Sequence, residues 1–428
     1  MNRFVITTGQ IRGQEYRISA LCDENRKLIE VTPEPVGAPS ILGNIYVGRV
    51  ENVVTNLNAA FIRIADGQKC YCSLADCRNP VFTKKYSRKK LAAGDELLVQ
   101  VSKEAVKTKE PVVTTNLTFS GRYAVLTTER RQLSVSLRLS AAQREHYAGL
   151  LREKLGEEED RGFGVIVRTN AEGASDEELL KEIAWLRQCY EQLLETAAHK
   201  TCGSCVYKER TPWQKMLLGQ RREWLGEVVT DERAVFEEVC RMFDVPESRL
   251  TAGGSVPKRV DEVVLENGLR LSYYADEMLS LSALYSLKGQ LTDALREKVW
   301  LKSGAYLIIQ PTEALTVIDV NTGKNVARKD VQENFLRVNL EAAAEIARQL
   351  RLRNISGIIV VDFMNLTSAE AQKTLMKEFG AALKQDSVPV RLVDMTKLGL
   401  VELTRKKVKK SLPELLAGQE KGDSKKWI

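Results

Sequence analysis

Residues 315–362 confine this chain more tightly than any other stretch. LTVIDVN, Leu315 to Asn321, is an apolar run that finishes on an acid and an amide, and GIIVVD, Gly357 to Asp362, is a second apolar run that finishes on an acid. Between them, residues 333–352 read ENFLRVNLEAAAEIARQLRL. There Leu336, Leu340, Ala343, Ala347 and Leu350 recur at steps of three and four, while Arg337, Glu341, Glu345 and Arg348 fall on the other side. That is the period of an amphipathic helix. A strand, a long helix and a strand make a crossover that joins parallel strands. Parallel strands end on the same sheet edge, which is where open α/β sheets bind their ligands. If the two strands are neighbours, roughly 5 Å apart, Asp319 and Asp362 converge there. Asn321, two residues past Asp319, projects from the same face.

Two carboxylates and an amide suit a magnesium ion that keeps most of its waters and takes substrate phosphate oxygens as further ligands. Such an ion polarises phosphate and acidifies water. Strand-end aspartates also serve simply to cap loops, and the residues alone leave both readings open. Histidine narrows the chemistry further. Only two occur, His146 and His199, which argues against a histidine-pair nuclease and more strongly against a histidine-rich metal site. The net charge of +7 is a mild bias towards anionic partners and carries no argument by itself.

At 428 residues the chain is expected to form two or more domains. Phe4 to Ile6 and Tyr16 to Ala20 read as short strands, and VTPEPVGAPS, residues 31–40, reads as a domain junction. From Gly43 the texture is all-β, with Asp66-Gly67 as a hairpin signal and a basic stretch, KKYSRKK, before GDELLVQVSKE. Several short strands in this span suggest an OB-fold barrel. GRYAVLT and LSVSLRL read as paired strands, followed by a helix over Ala141 to Leu155 and a strand, GFGVIVRT. Ser175 to Glu178 fits a capping box that opens a helix ending near His199. Farther on, Glu266-Asn267-Gly268 marks a hairpin turn. No opening segment resembles a signal peptide and no apolar run approaches a membrane span, so a cytoplasmic protein with reduced thiols is expected.

TEALTVIDVNTGKN and NLEAAAEIARQLRLRNISGIIVVDF resemble the catalytic region of the ribonuclease E/G family. The likeness runs through most of the chain in the family's order, from GNIYVGRV and AAFIRI through GFGVIVRT to LGLVELTRKKVKKSL. The resemblance implies an α+β multidomain fold. An OB-fold RNA-binding domain at 41–118 and a 5′-sensor domain at 119–205 would interrupt a ribonuclease H-like subdomain at 1–40 and 206–290. A DNase I-like α/β catalytic subdomain would occupy 291–413, and a basic tail 414–428. It further implies that Asp319 and Asp362 are the magnesium ligands, with Asn321 orienting the site. Arg168 and Thr169 would grip a 5′-monophosphate, with Gly121 and Val125 as the sensor's other wall. Phe61 and Tyr71 would stack bases, while Lys109 and Arg138 would meet the RNA backbone. Read without the resemblance, Arg168-Thr169 suits a surface salt bridge and Phe61 suits a core.

The chain also departs from the family. Leu137-Arg138 stands where two consecutive basic residues are usual, Asn365 replaces an acidic residue often seen after the catalytic strand, and Gln310 stands where an acid is common. After SLPELLAG the family continues into a Cys-x-x-Cys zinc link, whereas here QEKGDSKKWI follows. Cys202 and Cys205 form the one such pair, too little by itself for a structural zinc site. The expectation is a magnesium-dependent endoribonuclease for single-stranded RNA, stimulated by a 5′-monophosphate, acting in RNA processing and decay as a monomer or simple homodimer. The alternative is a non-catalytic RNA-binding relative.

Overall fold

A computed structural model of the chain describes residues 1–37, 40–77, 79–85, 91–105, 109–156, 162–246, 249, 251–252, 258–259, 261–323 and 331–417. The basic tail from 418, residues 86–90 of the basic stretch, and Lys324-Asn325 of the string TEALTVIDVNTGKN lie outside them. The chain divides into two compact units, one of residues 1–37 and 222–428 and one of residues 38–221. No helix among the described residues is long and apolar enough to cross a membrane.

In the second unit, strands Ile45–Val54, Ala59–Arg63, Lys69–Ser73, Val112–Thr114 and Glu96–Lys103 pair in that order, and the last pairs back onto the first. This closes a five-stranded barrel with the strand order 1-2-3-5-4 of an OB-fold. Period-two alternation fills it. Ile62, Cys70, Cys72, Leu97 and Val99 point inwards and are fully buried, while Phe61 and Tyr71 face out. The Asp66-Gly67 hairpin forms as expected, with both residues at positive φ (53° and 73°).

Beside the barrel, a four-stranded sheet runs Thr118–Ser120, Ala124–Thr127, Gly164–Val167, Leu133–Val135. This corrects one sequence expectation: GRYAVLT and LSVSLRL are not paired with each other. Helix Ala141–Leu155 carries the chain over, so that Gly164–Val167 inserts between the two, parallel to Leu133–Val135. A helical crossover favours a parallel partner over a hairpin return. Both expected helices have capping boxes, Ser140 with Gln143 and Ser175 with Glu178, and the second spans Asp176–Ala198 with His199 as its C-cap.

The first unit holds two six-stranded sheets. One orders Glu262–Val264, Arg270–Tyr273, Leu225–Thr230, Asn2–Ile11, Gln14–Cys22 and Leu28–Pro35. The sequence suggested that residues 31–40 were all junction, yet Val31 to Pro35 belong to the last strand. Prolines are tolerated there because this strand is the sheet's edge and needs no donors on its outer side.

The other sheet orders Lys298–Trp300, Tyr306–Pro311, Leu315–Asn321, Gly357–Asp362, Leu400–Arg405 and Val390–Met395. Helices Val331–Arg353 and Ala369–Leu383 cover one face, where Leu307, Ile318, Ile359, Val361, Val401 and Leu403 pack against Ala342, Ile346, Leu375 and Phe379. The expected polar side of the long helix holds only in part. Glu345 is buried, and its carboxylate accepts from Lys27 Nζ at 2.9 Å and Arg348 Nε at 3.0 Å. The helix is also packed against strand Leu28–Pro35 of the first sheet, so its outward side is a second interior.

Candidate active site

The sheet's open face carries the candidate site. Along Leu315–Asn321, Thr316, Ile318 and Val320 are buried under the helices, which leaves Val317, Asp319 and Asn321 on the opposite face. Along Gly357–Asp362 the same alternation buries Ile359 and Val361 and leaves Asp362 out. The two strands are parallel and adjacent, with Asp319 and Asp362 directly opposite in register. Asn321 Nδ2 donates to Asp319 Oδ2 at 2.7 Å and so holds one carboxylate oxygen in place. The expected convergence of the three residues is met.

Neither carboxylate has a salt-bridge partner or a further hydrogen bond among the described residues. Like charges directly opposite on neighbouring strands repel, so the pair favours a cation between them. The donors are hard oxygens, which suit magnesium, calcium or manganese rather than zinc. No cluster of three or more histidine, cysteine or acidic residues that could hold a metal ion occurs among the described residues.

One residue missed by the sequence reading holds the site's far side. Asn339, fully buried on the long helix, donates through Nδ2 to the Met364 carbonyl at 2.8 Å and accepts from Met364 N–H at 3.0 Å. The loop leaving Asp362 is thereby clamped. A buried asparagine at a helical core position was the available signal. Neither Gln310 nor Asn365 is hydrogen-bonded to Asp319, Asp362 or Asn339 among the described residues, although Gln310 shares the open face with Asp319. Gln310 Nε2 donates to Glu297 Oε2 at 3.1 Å, opposite Val317, and Asn365 is exposed and accepts through its carbonyl from Gln332 Nε2 at 3.4 Å.

In the other unit, Gly121, Val125, Arg168 and Thr169 gather at one end of the four-stranded sheet. Arg168 Nη1 donates to the Gly121 carbonyl at 2.6 Å, and Arg168 N–H to the Tyr123 carbonyl at 2.7 Å. Burial pulls the Arg168 guanidinium below its usual pKa, opposed by the nearby Glu182 carboxylate. Thr169 and Ser136 hydroxyls are 3.0 Å apart, and Val125 is opposite Ile166. Glu182, unremarked in the sequence, accepts from Arg122, Tyr123 and Ala124 N–H at 2.6, 2.6 and 2.9 Å. It shapes the turn, and any side chain at Gly121 would strike it.

On the barrel, Phe61 and Tyr71 are cross-strand partners with ring centroids 6.2 Å apart, edge to face. Phe61 is half-buried on the outer surface and is no core residue. Lys69, which the sequence reading passed over, places its ammonium 4.4 Å from the Phe61 ring. Lys109 and Arg138 are exposed, as is Leu137 beside the latter. Cys202 is partly buried and Cys205 exposed, the latter on strand Cys205–Tyr207 against the barrel. Cys70 lies inside the barrel, where burial pushes its thiol up to about 12.

A family model described as the ribonuclease E/G family matches residues 118–408. Ribonuclease E of Nostoc sp. is 32% identical over 408 residues, covering 95% of this chain and 56% of that protein. The chain thus spans little more than half of that relative. Ribonuclease G of Salmonella typhimurium is 30% identical over 403 residues, covering 92% of this chain and 78% of that protein. Ribonuclease G of Escherichia coli strain K12 is 30% identical with the same coverage.

Proposed function

The chain belongs to the ribonuclease E/G family, and on that premise we propose that it is a magnesium-dependent endoribonuclease acting on single-stranded RNA in processing and decay. One observation carries this reading. Two carboxylates face each other in register on the open side of a sheet, without a cationic partner among the described residues, and with an amide orienting one of them. Asp319 and Asp362 would hold the ion. When bound, magnesium supplies positive charge against the scissile phosphate and acidifies water.

The chain's own residues do the rest. Asn321 keeps the Asp319 carboxylate turned to the open face, and Asn339 fixes the loop that leaves Asp362. Arg168 is the reading's 5′-phosphate grip. Its guanidinium is tethered at Nη1 by Gly121, and an arginine fork suits a terminal phosphate in bidentate fashion. Thr169 adds a hydroxyl, and Gly121 and Val125 form the wall. Phe61 and Tyr71, with Lys69, Lys109 and Arg138, would bind bases and backbone by stacking and charge. The barrel is read as the OB-fold RNA-binding domain, and the sheet bearing Asp319 as the DNase I-like catalytic subdomain. Hydrolysis would leave a 5′-phosphate and a 3′-hydroxyl.

The test is incubation of purified protein with a 5′-monophosphorylated single-stranded oligoribonucleotide, with magnesium and with chelator. Internal cleavage only in magnesium, giving 5′-phosphorylated products, is expected. Tight RNA binding with no cleavage under any divalent ion would overturn the enzyme reading in favour of a non-catalytic relative.

A further inference from the structure

We propose that Trp300, with Tyr306 and Lys298, forms a nucleobase-stacking subsite on the open face of the sheet that carries Asp319 and Asp362. The inference rests on the reading that this face handles single-stranded RNA.

Sheet register brings the parts together. Trp300 pairs with Tyr306, and Tyr306 pairs with Asn321, so these three form one row across three strands. The adjacent row runs Lys298, Ile308, Asp319, Asp362. Side chains in both rows project from the face that the helices leave uncovered. Trp300 is therefore two strand spacings from Asn321, about 10 Å.

The local chemistry fits a base beside a phosphate. Trp300 is 63% exposed, although tryptophan side chains are highly buried on average. Its ring meets Tyr306 edge to face, with centroids 5.3 Å apart. The Lys298 ammonium stands 4.0 Å from the Trp300 ring centre and 3.7 Å from that of Tyr306. A lysine on an edge strand guards against strand addition, which accounts for Lys298 but not for an exposed indole. An indole backed by a second ring, with a fixed cation alongside, stacks any base while the ammonium meets backbone phosphate. The spacing places that base near the phosphate under attack. Such a subsite would hold the strand at the cleavage point without demanding a sequence.

The experiment is equilibrium binding in chelator, which needs no turnover. The probe is a fluorescent single-stranded oligoribonucleotide and a set of copies, each lacking one base. Trp300→Ala should weaken binding of the intact strand by about 5-fold to 150-fold, and Trp300→Phe should keep most of the affinity. The loss should vanish on the copy that lacks the stacked base. Unchanged affinity of Trp300→Ala would overturn the proposal. So would an equal loss on every copy, or a change of oligomeric state by light scattering, which would mark the indole as a contact between chains. A protein that cleaves RNA but does not need Trp300 loses this inference alone. One that binds through Trp300 yet never cleaves keeps it and loses the enzyme reading.

Discussion

Arg405 offers the sharpest test of what holds together the sheet that carries Asp319 and Asp362. It sits at the end of strand Leu400–Arg405, opposite Gly357, where the strand bearing Asp362 begins. Its side chain is 3% exposed and that of its partner Asp386 is 4%. Nε donates to Asp386 Oδ2 at 2.8 Å and Nη2 to Oδ1 at 3.3 Å, while Nη1 donates to Asn354 Oδ1 at 2.7 Å and the Ile355 carbonyl at 3.1 Å. Arg405→Met keeps much of the volume but takes from the buried Asp386 carboxylate the two hydrogen bonds that the guanidinium donates. Breaking such a pair costs about 3–5 kcal/mol, a large part of the 5–15 kcal/mol typical of a folded domain. The exposed pair Arg187–Glu191, with side chains 58% and 52% accessible, is the control. Its loss costs about 0.3–0.5 kcal/mol. Urea unfolding followed by circular dichroism should therefore show a shift in midpoint for Arg405→Met several times that for Arg187→Ala. Adding Asp386→Leu should recover part of the loss, because the buried carboxylate that the guanidinium served is then gone. Equal shifts for Arg405→Met and Arg187→Ala would refute the argument, as would a double variant less stable than the single.

Three further outcomes are expected. Asp319→Asn and Asp362→Asn should each lower cleavage by about 1,000-fold or more, equivalent to about 4 kcal/mol of transition-state stabilisation, and leave RNA affinity in chelator nearly unchanged; undiminished cleavage by either variant would remove that residue from the metal site. Arg168→Ala should reduce activity on 5′-monophosphorylated RNA towards that on 5′-hydroxyl RNA and leave the latter alone, whereas equal losses on both would mark Arg168 as structural. Burial would raise the Glu345 carboxyl, but Arg348, Gln349 and Lys27 hold it down to about 2 against an ordinary 4.5, so its contribution is complete above the ordinary value and is lost as the pH falls towards 2. On the order of 3 kcal/mol is at stake, and Glu345→Gln should flatten that acid limb of stability; an unchanged limb would show that the native carboxyl is not depressed.

Features set by near neighbours in the chain were legible from the amino-acid order. Helices Ala141–Leu155 and Asp176–Ala198 were placed to the residue or nearly so, the second because its capping box is closed by residues three apart. The Asp319–Asp362 pairing was legible for a related reason: strand, helix and strand in sequence allow few arrangements other than parallel neighbours. Whatever depends on partners distant in sequence was decided only by the tertiary structure. Alternation shows that GRYAVLT and LSVSLRL are strands but not that Gly164–Val167 separates them, since strand pairing leaves no mark on either strand's own period. Glu345 lies on the helix's polar side by periodicity, yet strand Leu28–Pro35 closes over it and Lys27 and Arg348 neutralise it there. Trp300 and Tyr306 are six residues apart on separate strands, and nothing in their spacing predicts that cross-strand register aligns them with Asn321. Chain order governs what a segment becomes. Which segments meet is settled by the interior they share, because burial is a property of the whole packed chain and not of any window along it.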